Sequence, residues 1–272
     1  MRDGLDFLYN TNMGRFILKG LTARKLSQVA GSFLDSKASR FIIHKFAQKN
    51  NIDLSECIKT DFDSFNDFFT RQLKPGERTF DMNPENLVSP CDGLLSVYSI
   101  DGYEVMPIKQ SRYSVVDLLR DEKLADYYKG GICMVYRLCV NHYHRYAYLD
   151  NGCKGANIFI PGILHTVRPI ALRQIPVFTE NCREYTVMDT QNFGKVTQIE
   201  VGAMLVGKIH NHHGRHEFKR GEEKGMFLYG GSTIVVLLPP DVAEISEDIL
   251  KLTECGEEYP VKMGQVVGHK NI

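Results

Sequence analysis

Phe227-Leu228-Tyr229-Gly230-Gly231-Ser232-Thr233-Ile234-Val235-Val236-Leu237-Leu238 sets a Gly-Gly-Ser-Thr hinge at the mouth of an apolar run. The run is rich in β-branched residues and too short for a helix, so it reads as a buried strand entered from a turn. The same rhythm fills the chain from Leu87 onward. Short apolar segments, Gly131–Val140, Gly155–Ile160, Tyr185–Asp189, Val196–Val206 and Thr233–Leu238, alternate with Gly, Pro, Asn and Asp. That spacing predicts a compact, mainly antiparallel β-rich core of sandwiched hairpins. One exception is Val115–Tyr128, which predicts a helix started by a Ser114 cap.

Upstream the pattern changes. From about Gly14 to Lys49 there is no proline, and Leu18, Leu21, Leu26, Val29, Ala30 and Phe33 form one stripe. After a break at Asp35-Ser36 the pattern resumes through Phe41, Ile42, Lys45 and Phe46. The fold class is therefore α+β, with N-terminal amphipathic helices followed by the β-rich core. Ser55 to Asp67 is polar and acidic and reads as a linker, which divides the chain into a helical region, 1–60, and a β-rich domain, 61–272.

The net charge is zero, yet between Met13 and Asn50 eight Lys/Arg face one acid, Asp35. A basic N-terminal fifth on an acidic body suits an anionic lipid or nucleic-acid surface. The plainer reading is a helical hairpin packed on the body with its charges solvated. Seven cysteines, odd in number and without C-x-x-C, argue against a disulfide framework or zinc knuckle and for reduced thiols in a cytoplasmic setting. No signal-peptide core and no uninterrupted run of 18 apolar residues is present, so the expectation is a chain that does not span a membrane, with a place on its surface left open. His210, His212, His213 and His216 invite a metal reading. Without a Cys, Asp or Glu at ligand spacing they read as a polar loop, and no metal is expected.

Several local motifs occur in order. Phe65 to Arg78 reads F-x-x-F-F-x-R-x-L-K-P-G-x-R, and Ser89 to Gly93 reads S-P-x-D-G. Tyr143-His144-Arg145, Glu180-Asn181-Cys182-Arg183-Glu184 and the run Val201 to Gly207 follow, ahead of Gly231-Ser232-Thr233. Together, from about Phe65 to Gly268, they resemble the phosphatidylserine decarboxylases, self-cleaving proenzymes whose Gly-Ser bond breaks to turn the serine into a pyruvoyl group.

The resemblance implies cleavage between Gly231 and Ser232 into a β chain, 1–231, and an α chain, 232–272, held as a heterodimer. Ser232 becomes the covalent pyruvoyl cofactor, Asp92 orients the base for cleavage, and His144 positions or protonates the substrate. The implied reaction converts phosphatidylserine to phosphatidylethanolamine and CO2 through a Schiff base, at the cytoplasmic face of the cell membrane, with the enzyme held peripherally on anionic lipid. Nucleic acid is not an expected partner, and self-association stays open. The chemistry is coherent with the residues: loss of CO2 from an α-amino acid leaves a carbanion that needs a carbonyl electron sink. Glycine before the nucleophile leaves the attack path clear, and a serine hydroxyl needs a positioned base.

One departure matters. The family's D-Y-H-R-x-H appears here as His142-Tyr143-His144-Arg145-Tyr146-Ala147, with His142 in place of the aspartate and Ala147 in place of the second histidine, the usual base. Three readings compete: His144 or His142 takes over, His165 reaches in from elsewhere, or the chain does not cleave. Two further functions stay open. One is a pyruvoyl decarboxylase of another serine phospholipid or of an amino acid. The other is a non-catalytic, carrier-like β-hairpin protein, suggested by Val261-Lys262-Met263-Gly264.

Overall fold

In the computed structural model the described residues are 31–102, 104–108, 111–163, 177–202, 209–228 and 232–271, with the side chains of 104–108 and 111–113 excluded. Most of the Leu18–Phe33 stripe, His165 and Gly231 therefore lie outside the described residues. In chain order the elements are a 3-10 turn, Lys37–Ile42, then α1 (Ile43–Lys49), a second 3-10 turn, Leu54–Glu56, α2 (Phe65–Phe69), β1 (Asn86–Val88), β2 (Gly93–Asp101), β3 (Glu104–Ile108) and β4 (Ser111–Ser114). Helices α3 (Val115–Leu119) and α4 (Glu122–Tyr127) follow, then β5 (Ile132–Leu138), β6 (Arg145–Ala147), β7 (Gly152–Lys154), β8 (Ile158–Ile160) and α5 (Val177–Glu180). The rest comprises β9 (Arg183–Thr190), β10 (Lys195–Val201), β11 (Ile209–Asn211), β12 (His216–Phe218), β13 (Glu223–Phe227), β14 (Ser232–Leu238), β15 (Ala243–Ile245), α6 (Glu247–Glu254), β16 (Tyr259–Val261) and β17 (Val266–Lys270).

The main sheet runs β12-β7-β9-β10-β14-β5-β2-β3-β4, with β16 on β2 and β8 on β9, and two three-stranded sheets flank it, β1-β17-β15 and β11-β13-β6. Its central strands pair antiparallel, β14 lying between β10 and β5. Successive side chains of β14 point to opposite faces. Val235 and Leu237 join Val135, Ile199 and Val201 under the helices, against Leu118, Leu119 and Phe178. Ile234, Val236 and Leu238 join Met134, Tyr136 and Leu138 on the other face, against Val261 and Val267. Both faces are covered, which explains why the strand reads as a continuous apolar run rather than an alternating one.

Val115–Tyr128 is two helices rather than one. Ser114 caps the first as expected, accepting from the Val116 and Asp117 amides. Arg120 then takes the left-handed conformation at φ 52°, and Asp121 opens the second helix by accepting from Leu124. Helical periodicity persists across such a break, so the pattern alone does not reveal it.

The 55–67 stretch is not a free linker. Cys57, Phe62 and Phe65 are buried in a third cluster with Leu34, Ile43, Ala47, Phe68 and Phe69. Edge-to-face rings at 5.0–5.5 Å join Phe46 to Phe65 and Phe62 to Phe68. Ser39 stitches the two sides, its hydroxyl accepting from the Phe65 amide at 2.8 Å.

Candidate active site

Ser232 opens β14 and is fully buried. The register sets it opposite Leu138 at the end of β5, and the next loop carries His142 and His144. The Phe227 amide at the end of β13 donates to the His144 carbonyl at 2.9 Å. The histidine loop and both ends of the hinge segment therefore meet at one end of the main sheet. Beside Ser232, the Thr233 hydroxyl is buried without a hydrogen-bond partner among the described residues.

His144 is completely buried, its ring 4.1 Å from that of Phe69. Nδ1 lies 3.0 Å from the His142 carbonyl, which can only accept, so Nδ1 carries the proton. Nε2 is left as a bare lone pair with no partner among the described residues. Burial pulls the imidazole pKa down to about 3, opposed by the hydrogen bond to His142. His144 is thus held neutral, in one tautomer. His142 differs. Its Nδ1 accepts the Cys139 amide at 3.0 Å, so in the neutral ring the proton sits on Nε2 and the lone pair is already used. Burial lowers its pKa as well.

Asp92 lies in the turn before β2, nearly buried. Its carboxylate is not bonded to a histidine among the described residues. Arg78 grips it with both prongs, Nε to Oδ1 at 2.7 Å and Nη2 to Oδ2 at 2.6 Å, the fork geometry of a strong charge-assisted pair. The Met263 amide donates to Oδ1 at 2.9 Å and the Tyr143 amide approaches Oδ2 at 3.5 Å. Met263 reaches Asp92 because Gly264 turns at φ +87°, where an added Cβ would meet the Thr79 carbonyl at 2.3 Å. The hairpin around Lys262 that invited a carrier reading is thus occupied in holding Asp92. Ala147 sits against the same turn, its amide donating to the Pro90 carbonyl at 2.9 Å, and its methyl brings no base.

Other motif residues prove to be scaffold. Arg145 donates from Nε to the Thr70 and Arg71 carbonyls and pairs with Glu223 at 2.6 Å. Buried Arg183 donates to the carbonyls of Asp117, Leu118, Thr179 and Asn181. Asn181 donates to the Gly202 carbonyl at 2.7 Å.

Sequence reasoning assigned no role to Arg71 or Arg78, although both stand in the F-x-x-F-F-x-R-x-L-K-P-G-x-R element. Arg71 is buried beside the histidine loop. Nη2 reaches the Asn141 and His142 carbonyls at 3.3 Å, while Nε and Nη1 have no hydrogen-bond partner among the described residues. Burial lowers its pKa, so the guanidinium is a cation short of acceptors. Also unforeseen is the fully buried pair Lys224–Glu200 at 2.7 Å, completed by Asn211 and Gln198. Nothing in the local sequence signals two charges on different strands meeting inside.

Ser232, buried at the start of β14, and His144, held neutral with Nε2 unpartnered among the described residues, lie on neighbouring segments at one end of the main sheet. The family model described as phosphatidylserine decarboxylase matches residues 65–269. The chain belongs to the phosphatidylserine decarboxylase family. It is 47% identical over 268 residues to "Phosphatidylserine decarboxylase proenzyme 2" of Clostridium acetobutylicum, covering 98% of this chain and 92% of that protein. It is 43% identical over 271 residues to the phosphatidylserine decarboxylase proenzyme of Ruminiclostridium cellulolyticum (97% and 90%). It is 38% identical over 272 residues to that of Clostridium perfringens (98% and 92%).

Proposed function

We propose that this chain is a proenzyme that cleaves itself at Gly231–Ser232 and then decarboxylates phosphatidylserine. The observation that carries the reading is His144, locked through Nδ1–H on the His142 carbonyl with Nε2 buried and unpartnered, on the loop next to buried Ser232. In this reading His144 Nε2 takes the Ser232 hydroxyl proton as Oγ attacks the Gly231 carbonyl. The peptide becomes an ester and the Ser232 amine is freed. Loss of the Cα proton expels the Gly231 carboxylate and leaves dehydroalanine, which water converts to a pyruvoyl group and ammonia. Asp92, clamped by Arg78, holds the Tyr143 amide and the turn against Ala147, so it acts by positioning the histidine loop.

The residues fit such a group. Position 232 is buried, and the neighbouring Thr233 hydroxyl, like His144 Nε2 on the loop after β5, is a polar group without a partner among the described residues. When formed, the group supplies the carbonyl that accepts electrons as CO2 departs. In this reading His144 returns a proton to the substrate carbon. Arg71 offers its two free donors to the substrate's phosphodiester. A cation on the departing carboxylate would stabilise the ground state and slow its loss, so the phosphodiester is the better partner.

The described part of the 1–60 region suits a membrane surface at the cytoplasmic face. Phe41 is 79% exposed and Phe33 45%, among Lys37, Arg40, Lys45 and Lys49. No helix among the described residues is long and apolar enough to cross a membrane, which says nothing of strands.

Intact mass spectrometry tests the cleavage. The expected result is two chains, 1–231 and 232–272, the smaller with a blocked N-terminus and lacking the Ser232 amine. His144→Ala should remain a single chain, while His142→Ala should cleave. A wild-type chain that stays whole under activating conditions would overturn the reading, as would full cleavage of His144→Ala. In the latter case His165→Ala becomes the informative variant.

A further inference from the structure

The histidine-rich segment between β11 and β12 gains in three dimensions what it lacks in sequence. Six residues beyond His216, Glu222 folds back so that His213, His216 and Glu222 each offer one ligand atom, all within 4.8 Å of one another. We propose that these three residues bind a divalent transition metal of the zinc class, at a site separate from Asp92 and His144.

The geometry is close to what such an ion requires. Glu222 Oε1 lies 2.6 Å from His216 Nε2 and 3.8 Å from His213 Nε2. Tetrahedral zinc with bonds near 2.0–2.1 Å has ligand-to-ligand edges of about 3.3 Å, between those two distances. Both Nε2 atoms converge on one carboxylate oxygen, and the rings stack at 3.9 Å and 11°. At 3.8 Å His213 Nε2 is beyond hydrogen-bond reach of Glu222 Oε1, whereas a metal would engage all three groups.

The supporting contacts are those of a metal site. Tyr148 Oη lies 3.2 Å from His213 Nδ1, fixing that ring from its far side. The Lys219 amide donates to Glu222 Oε2 at 3.1 Å, leaving Oε1 for the ion. The β12–β7 pairing sets His216 in register opposite Lys154. The Lys154 ammonium lies on the His213 carbonyl and Asn157 and is not bonded to the carboxylate. His213, His216 and Glu222 have side chains about one-third exposed, so solvent can fill a fourth position. Two neutral imidazoles and one carboxylate favour zinc, copper or nickel over calcium or magnesium, which take mainly oxygen ligands. His212 is not part of the set, since its Nε2 pairs with Glu223 at 2.6 Å. A bound ion would tie the 213–216 turn to the start of β13, the strand leading toward Ser232.

The test is equilibrium dialysis of tag-free protein against Zn2+ alone, with metal content read by elemental analysis. One zinc per chain at submicromolar affinity is expected. His213→Ala/His216→Ala and Glu222→Gln should each weaken it at least 100-fold, and Tyr148→Phe about 10-fold. His210→Ala/His212→Ala should leave it unchanged. Zinc should raise the thermal midpoint of the wild type and not of the double variant, whose metal-free midpoint serves as the check that it folds. Failure of the wild type to bind one zinc, or equal binding by the double variant, would overturn the site. Neither readout depends on self-cleavage or decarboxylation.

Discussion

At the scale of single residues, His144 ties folding to pH. Its folded pKa of about 3 lies below the ordinary value near 6.5 because burial disfavours the charged ring. Between those values the unfolded chain binds the proton and the folded one does not. This contribution is therefore whole above about pH 6.5 and is lost as pH falls toward 3. At pH 5 the loss is on the order of 2 kcal/mol relative to pH 7. Ser232→Ala chains, kept whole, should show it in urea titrations, and adding His144→Phe, which keeps an aromatic ring beside Phe69, should remove that portion. Equal pH dependence in both would mean that His144 is not held neutral. Arg71 supplies a second expectation. Arg71→Gln should cleave fully and raise KM for phosphatidylserine at least 10-fold with kcat within a few-fold, and Arg71→Lys should recover part. The product, which keeps the phosphodiester but lacks the carboxylate, should lose affinity in parallel; retained product affinity would shift Arg71 to the carboxylate. Both arginines were visible as motif letters. Their roles were not, because the Asp92 clamp and the orphaned donors exist only once residues 71, 78, 92 and 141–144 meet.

Among elements, how readily each one reads follows how it is covered. β14 was plain because burial on both faces leaves an unbroken apolar run, and β5 reads much the same way; β9 and β10 interleave polar side chains with apolar ones, several of them buried. The 55–67 segment was misleading: polar residues outnumber its phenylalanines, yet Phe62 and Phe65 are what the third cluster buries. The α3–α4 break depends on one backbone angle at Arg120 and on the Asp121 cap. Glu180-Asn181-Cys182-Arg183-Glu184 read as a family mark, and its physical task is to close the end of α3. Arg183 satisfies the Asp117 and Leu118 carbonyls there, which have no helical partner. Arg183→Met should lower stability by about 3 kcal/mol or more, since it strands several buried acceptors at once. Chemical denaturation of the uncleaved Ser232→Ala chain measures it. A loss under 1 kcal/mol would show that water or neighbouring groups replace the guanidinium.

For the whole molecule, the question is how a buried site meets a lipid. The third cluster links the helix α1 to the histidine loop: Ile43 and Ala47 belong to it, as does Phe69, which also touches His144. Removing the chain through residue 50 would strip Leu34, Ile43 and Ala47 from that core and disturb the site with it. A surface change is the cleaner probe. Phe33 and Phe41 are exposed, while Lys37, Arg40, Lys45 and Lys49 supply cations, each worth about 1 kcal/mol near an anionic leaflet. Arg40 is partly engaged by Asp61, so its share should be the smallest of the four. Phe33→Asp/Phe41→Asp inserts two charges where an apolar side chain would enter the headgroup layer and leaves the buried residues of the third cluster in place. Cosedimentation with phosphatidylserine-containing vesicles should fall at least 10-fold, with self-cleavage complete and the thermal midpoint nearly unchanged. Raising salt from 0.15 to 0.5 M should weaken wild-type binding further, because surface cations are screened beyond a few ångströms. If the double variant binds vesicles as the wild type does, this face is not the one that meets the membrane.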